Sequence, residues 1–575
     1  MMNATGSDGD RRWDLYPTLI VVFAVLPVIA AYFFYISIYA VNIPRLDDYS
    51  SILLATLDIS SESSFTGKLG MLFRHHNEHI IALNKLLAYA YYGLFDAINL
   101  KHLVYIGNTL LLVTLLLISL QIEQQKLKLP LTLFAALMLL QPQSWASVTW
   151  AMASISNFGV WPVGFLALWL AHRSSLTVSS IAAIFALALC ACFIQGNGLI
   201  AYLLCGVLIG LKQGRRAQVI AALWLLFGLL LYSVFLSASV DELQIARSDY
   251  AQAYLVEHPL RVLIYALSVM GVALVKAFYP ALILGFLACG YVIFAAWHYL
   301  KNRDSVLALF AVFVALSIIA ASLFRAYSGV ETGIVVVRYY VYSQLLWTCI
   351  LVDLAVRLYP RITAPRMTLL LATLLTLALV NSAHSYHSAA PRSAALQEDL
   401  SAGMERWLIG GGRLSSHLPN IMDEASRTVL RQAVAAGLYD PTGAFPNYRV
   451  PEIVQQPGFC QRNAKAAPVE GSFRLQSAAG AQAIKLTGWL VGRGIGKPRQ
   501  LILCGERQSY RFRDLPWSSH YFDLDTGRLQ AEPYGFELLL PRSVITDRVN
   551  MIGVLSPSVG LELVQLDPSV TPDNW

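Results

Sequence analysis

The chain has 575 residues, 56% of them hydrophobic and only 13% charged, with a net charge of +7 and a mean hydropathy of +0.55. Soluble globular chains carry about 25% charged residues, so the composition excludes an ordinary soluble protein and fits an integral membrane protein. The basic excess does not point to nucleic acid, because Lys and Arg fall mainly in short clusters between apolar runs, where they act as orientation signals.

Residues 15–40 form the first apolar run, long enough to cross a bilayer at about 20 residues per crossing. It is too long for the apolar core of a cleavable leader, and no small-residue cleavage site follows it, so it is read as a retained helix. Arg11 and Arg12 precede it. Basic flanks stay cytoplasmic, so residues 1–14 are expected to be a cytoplasmic tail and the chain to emerge on the far side near residue 41.

The first thing presented there is Pro44-Arg45-Leu46-Asp47-Asp48-Tyr49. Adjacent carboxylates at a membrane surface are costly unless they bind a cation or keep one member partly protonated. A general base for a hydroxyl needs one carboxylate within hydrogen-bond reach of it. The competing reading is a polar turn that ends a helix, where Asp is favoured. The loop that follows, to about residue 100, is long, and its stretches Gly67–Phe73 and Ile80–Leu87 read as amphipathic helices on the membrane surface.

Between them lies Arg74-His75-His76-Asn77-Glu78-His79. On a helix, His75 and His79 share one face at the i,i+4 spacing of a two-histidine metal site, which makes a divalent ion the one cofactor to consider, with none certain. Alternatively Glu78 and the histidines orient a donor phosphate or an acceptor sugar. The bland alternative is the polar face of an interfacial helix, with His and Arg reaching to the headgroups.

Further apolar runs recur at 101–121, 131–150, 153–171, 177–194, 198–211, 217–236, 260–277, 279–299, 305–323, 339–357 and 367–383. Simple alternation of sides satisfies the basic clusters as far as residue 236. It then fails, because Lys301 and Arg303 fall outside if both 260–277 and 279–299 cross. The conflict disappears if 260–277 dips in and returns, and backbone of that kind is tolerated at membrane depth only where protein or a water-filled cavity satisfies it. The expectation is about 11 crossings plus one re-entrant segment, with the C-terminus outside.

Within these runs, Gln195-Gly196-Asn197-Gly198 reads as a tight turn. Trp145, Trp150 and Trp161 read as belt aromatics at the membrane boundary. Arg338-Tyr339-Tyr340-Val341-Tyr342-Ser343 opens a late run, with Arg placed to grip a lipid-linked phosphate or simply to anchor at the interface. Arg325 and Lys276 are weaker candidates for the same role. Five of the seven cysteines lie in apolar runs, while Cys460 and Cys504 stand in the polar C-terminal part, a plausible disulfide if that part is outside the cytoplasm.

Composition changes after about residue 384. Residues 390–440 read as short amphipathic helices broken at Gly410-Gly411-Gly412 and Pro419. Alternating stretches at Ser472–Leu475, Ala483–Val491, Gln500–Cys504, Phe536–Leu540 and Met551–Leu555 suggest strands. The expected organisation is a membrane domain over 15–385 with its first outside loop at 41–100, a helical neck over 386–465, and an extracytoplasmic β-sandwich over 466–575.

Taken together, the first span, the acidic motif Leu46-Asp47-Asp48-Tyr49, the interfacial helices after it, the Arg74–His79 stretch and the Arg338-Tyr339-Tyr340 entry to a late span resemble the GT-C superfamily of membrane glycosyltransferases. The resemblance covers roughly residues 15–385 and rests on the order and placement of short motifs. It implies a polytopic α-helical membrane protein of GT-C-like architecture in a bacterial inner membrane, working on the periplasmic side. It implies an enzyme that moves a sugar from a polyprenyl-phosphate donor to an envelope glycan, lipopolysaccharide or glycoprotein. Asp47 or Asp48 would be the base, Arg338 would hold the donor phosphate, and Arg74, His75, His76, Glu78, His79, Tyr339 and Tyr340 would bind donor or acceptor. Membrane lipid is an expected partner and nucleic acid is not. The rival expectation is a transporter or flippase of a lipid-linked sugar, disfavoured because the apolar runs are nearly free of charge and no paired repeat is seen.

Overall fold

The computed structural model describes residues 15–76, 80–212, 214–237, 251–410, 413–415 and 420–445. Beyond these it describes only 452–454, 464–465, 469–476, 481–492, 500–505, 509–513, 534–542, 549–556 and 560–565. The chain divides into two compact units, residues 1–397 with 432–439 and residues 398–431 with 440–575.

The first unit is helical, as long apolar runs must be when no water is at hand to satisfy their backbone. α1 (Leu15–Tyr39) is followed by a π-helical turn at Tyr49–Leu54 and the short helices α2 (Ala55–Ser61), α3 (Phe65–Phe73) and α4 (Ala82–Phe95). α5 (Leu100–Leu120), α6 (Gln125–Leu139), α7 (Trp145–Val148), α8 (Ala151–Arg173), α9 (Val178–Ile194), α10 (Gly198–Gly210) and α11 (Arg215–Ser237) continue the chain. After α12 (Ala251–Glu257) and α13 (Pro259–Gly271) come α14 (Phe278–Asn302), α15 (Val306–Leu323), α16 (Tyr340–Leu358) and α17 (Ala364–Leu408).

Among the described residues, seven helices are long and apolar enough to cross a membrane, or eight if the bent pair α12–α13 counts as one span. This is a multi-pass architecture with fewer qualifying helices than the expected count of about 11. Of the four expected crossings not among the seven, three fall short for a physical reason. α9 and α10 have 17 and 13 residues, and at 1.5 Å per residue the latter is about 20 Å long, short of the hydrocarbon core of about 30 Å. The run expected at 131–150 is not one helix. α6 ends at Leu139, Pro142 lacks the N–H to continue it, and the chain restarts as the four-residue α7.

The segment expected to dip and return is a bent pair in which α12 and α13 meet at 105°. α13 stops at Gly271, inside the protein, and the backbone groups at and just past its end are answered by four side chains. The Ser343 hydroxyl donates to Met270 O at 2.7 Å and accepts from Ala273 N–H at 3.0 Å, while Trp347 Nε1 donates to Met270 O at 2.9 Å. Gln143 Nε2 and Asn381 Nδ2 both donate to Ala273 O, at 3.1 and 3.2 Å. A helix end buried away from water needs such partners, so these side chains are what allow α13 to end there. α13 also approaches α14 at backbone distance. A Cβ on Gly271 would lie 1.9 Å from Ala281 O, and one on Gly285 1.8 Å from Leu267 O. Small residues give such helix pairs their close contact. At the far end of α16, Arg357 binds Asp353 at 2.7 Å and Asp304 at 2.9 Å, and the Tyr291 hydroxyl closes on Asp353.

α17 runs unbroken for 45 residues, so the region after residue 384 begins as a continuation of the last long helix rather than as separate short ones. It ends where expected, Gly410 taking a positive φ of 93° just past Leu408. In the second unit α18 (Asn420–Ala435) begins; its last residues, 432–435, count with the first unit.

The strands form two sheets. β3 (Val469–Gln476), β4 (Ala483–Gly492) and β7 (Tyr534–Pro541) make an antiparallel sheet with β4 central. The other, in the order β1-β6-β5-β8-β9-β2, is built from β1 (Glu452–Val454), β2 (Ala464–Lys465), β5 (Gln500–Gly505), β6 (Ser509–Arg513), β8 (Val549–Ser556) and β9 (Gly560–Gln565). All five expected strands are present, and β1, β2, β6 and β9 were not foreseen. Lys485 on β4 reaches Glu405 of α17 and, at 3.1 Å, Glu537 of β7. Cys504 on β5 is disulfide-bonded, and Cys460, its expected partner, lies outside the described residues.

Candidate functional site

Asp47 and Asp48 begin the π-helical turn after α1 rather than ending α1 itself. The backbone reverses tightly there. Asp48 N–H donates to Arg45 O at 2.9 Å, and Leu46 takes a φ of 47°, a left-handed conformation that costs a residue with a Cβ about 1 kcal/mol or more. That turn sends the two carboxylates to opposite environments.

Asp48 is buried, 1% exposed. Its two oxygens accept from the backbone N–H groups of Arg45 at 3.0 Å and Met152 at 2.9 Å. Met152 is the second residue of α8, so Asp48 caps that helix from more than a hundred residues away. Burial pushes the Asp48 carboxyl up to about 7, against the opposing pull of those two N–H groups and the Arg45 guanidinium. Asp47 faces the other way. Its side chain is 32% exposed and its Oδ1 lies 3.9 Å from His76 Nε2. Its carbonyl accepts from the Ser51 hydroxyl at 2.6 Å, which ties the backbone of the pair to the π-helical turn.

Arg45 fixes this loop to α7, donating from NH1 to Ala146 O at 3.1 Å with its guanidinium 5.2 Å from the ring centre of Trp150. α7 is a junction for other segments as well. Asn108 on α5 donates to Val148 O at 2.9 Å and is itself held by the Tyr32 hydroxyl at 2.6 Å. The turn Val337–Tyr339, which carries Arg338, packs against α7 from another side. Arg45, just before the acidic motif, and the Arg338 turn therefore both contact the same four-residue helix.

Arg338 is half-buried, with its guanidinium 5.2 Å from the Tyr339 ring centre. The Tyr339 hydroxyl accepts from Arg325 Nε at 3.3 Å. Tyr340 is buried, and its hydroxyl donates to Ile334 O. A chain of polar side chains leads inward beside this turn. Ser147 Oγ accepts from Asn157 Nδ2 at 3.3 Å, and Gln195 Nε2 bonds both Asn157 Oδ1 at 2.9 Å and the Tyr342 hydroxyl at 3.1 Å.

Arg74, His75 and His76, the described part of the Arg74–His79 stretch, are not helical. α3 stops at Phe73, Arg74 is extended with φ −60° and ψ 141°, and His75 and His76 lie beyond the helix. The i,i+4 pairing of His75 with His79 needs a helix, and the described start of that stretch is not one. Asn77, Glu78 and His79 lie outside the described residues. Among the described residues no group of three His, Cys, Asp or Glu is placed to hold a metal ion. Lys85 on α4, which the sequence did not single out, holds the start of this segment. Its ammonium donates to Met71 O at 3.3 Å and to Arg74 O, capping the C-terminus of α3. Burial lowers its pKa to about 8, and burial together with the Lys85 charge lowers that of His75. Arg74 points to water, 3.9 Å from Asp58.

Two of the three tryptophans expected at the membrane boundary, Trp150 and Trp161, are instead buried in the protein. Trp161 is fully buried against Phe313 and Tyr342, and Trp150 is buried beneath Arg45. Gln195–Gly198 is a turn as expected, but Gln195 also joins three helices. The sequence signal for this core was present in the lone amides Asn108 and Asn157, which interrupt apolar runs at the cost of burying polar groups. Nε1 of Trp145, Trp150 and Trp161, Oε1 of Gln195 and both side-chain atoms of Asn197 are buried without a hydrogen-bond partner. Such atoms call for water or a ligand hydroxyl.

No family model, curated protein or solved structure matches this chain.

Proposed function

We propose that the protein is a membrane glycosyltransferase of GT-C type, taking a sugar from a polyprenyl-phosphate donor at the periplasmic face of a bacterial inner membrane. The observation that carries this reading is the convergence on α7. Arg45, two residues before the half-exposed Asp47 carboxylate and its neighbour His76, binds α7, and the turn that carries Arg338 packs against the same helix. The buried unpartnered amides and indoles nearby suit a polyhydroxylated substrate.

In this reading Arg338 holds the donor phosphate. An acceptor hydroxyl of an envelope glycan, lipopolysaccharide or glycoprotein attacks the anomeric carbon, and its proton passes to Asp47. The bond from that carbon to the phosphate oxygen breaks, and polyprenyl phosphate leaves as an anion that needs no dedicated acid. A single displacement inverts the centre. Asp48 is a positioning residue that holds the loop on α8. His76 orients Asp47, and α3 and α4 rest on the membrane surface, with Phe65, Leu69 and Phe73 toward lipid. The bent pair α12–α13 is the re-entrant segment. The two sheets close as a β-sandwich outside the cytoplasm.

The test is to incubate the purified protein with a panel of polyprenyl-phosphate sugars and follow consumption of one donor. Asp47→Asn is expected to lower turnover about a hundredfold or more while leaving the melting curve unchanged. Full turnover by that variant excludes the mechanism.

The bend of 105° between α12 and α13 also suits a second reading, a flippase of the same lipid-linked sugar, since transporters use broken helices. Movement of a labelled donor between leaflets without its chemical consumption would favour that reading.

A further inference from the structure

The cations near the start of α16 belong to two tyrosines. Arg325 and Arg338 lie on Tyr339. Lys276 lies on Tyr340, its ammonium 5.7 Å from the ring centre, and donates to Ser388 Oγ on α17 at 3.4 Å. Arg392, four residues after Ser388 and so on the same face of α17, is exposed.

Among the described residues neither Lys276 nor Arg392 is paired with a carboxylate. Lys276 is half-buried, and two cations held together there repel each other. Burial first and Arg392 second lower the pKa of the Lys276 ammonium. An anion between the two relieves both effects. The ammonium has three N–H donors and engages one acceptor, and the guanidinium has five donors in a planar fork that fits phosphate. Arg392 follows the apolar run 367–383 on the same helix, so the pair sits where α17 passes from apolar to polar sequence.

We propose that Lys276 and Arg392 form a second anion site, distinct from Arg338, which takes a phosphate monoester. The doubly charged state of such a group matches two cations, and the group is available either as a lipid headgroup or as free phosphate. The site stands on its own geometry and does not depend on sugar transfer.

The test is a binding measurement on the full chain that requires no turnover. In one arm the protein sits in phosphatidylcholine nanodiscs doped with phosphatidic acid, and retained lipid is counted by native mass spectrometry. In the other, inorganic phosphate is titrated against the protein in neutral detergent. Lys276→Gln with Arg392→Gln is expected to weaken binding about tenfold or more in at least one arm, while Arg338→Gln leaves that component in place. Loss in the nanodisc arm alone identifies a headgroup site, and loss in both arms a site open to free phosphate. Lys276→Arg is expected to retain binding, which separates lost charge from lost folding. Equal binding by wild type and the double variant in both arms overturns the proposal. So does an equal loss on Arg261→Gln, an exposed cation of α13 outside the pair.

Discussion

At the scale of single residues, two neighbouring carboxylates that look equivalent in the sequence have opposite circumstances. Asp48 is enclosed and satisfied by two backbone donors, whereas Asp47 is half-open beside His76. Asp48→Asn therefore tests stability rather than chemistry. One oxygen becomes an NH2 that confronts an N–H donor, so a loss of about 1–3 kcal/mol is expected in thermal or denaturant unfolding. The pH dependence has a definite sign. Folding raises the Asp48 carboxyl to about 7 from the ordinary value near 4, so the folded state holds more protons between those limits. Stability from this group is fully present below about pH 4 and falls as pH rises to about 7. Melting curves of wild type minus Asp48→Asn across that range should show the slope, and a flat difference would contradict it.

At the scale of elements, the helix ends carry the organisation. Lys85 closes α3, Asp48 opens α8, and Ser343, Trp347, Gln143 and Asn381 close α13. Lys85→Met removes the donor to Met71 O and Arg74 O. It is expected to loosen the segment bearing His75 and His76, seen as faster amide exchange there with the global melt lowered by about 1–2 kcal/mol at most. The contact of α13 with α14 allows no side chain at Gly271 or Gly285. Alanine at either position meets a backbone carbonyl under 2 Å away, so the helices must separate, at a cost of about 1–3 kcal/mol. Gly290, with open space around its α-carbon on α14, is the control, and alanine there should be neutral or mildly stabilising.

At the scale of the whole molecule, an apolar helical unit and a polar unit with two sheets make up one chain. A thiol reductant, acting on the Cys504 disulfide, is expected to destabilise the strand-bearing unit by about 2–5 kcal/mol and to leave the helical signal of the other unit unchanged. Tryptic fragments sampled across a thermal ramp would report each unit separately. The sequence by itself determined the long helices, because a long uncharged run can satisfy its backbone in lipid only as a helix, and it determined five strands through their alternation. It also marked Asp47-Asp48 and Arg338 as candidates, since charge beside apolar runs is conspicuous. Only the tertiary structure decided that Arg45 and the Arg338 turn both contact α7, that Asp48 caps α8, and that Gln195 links Asn157 to Tyr342. Those partners are brought together by packing across tens to hundreds of residues, and hydrophobic periodicity records which face of a helix is buried but not what it is buried against.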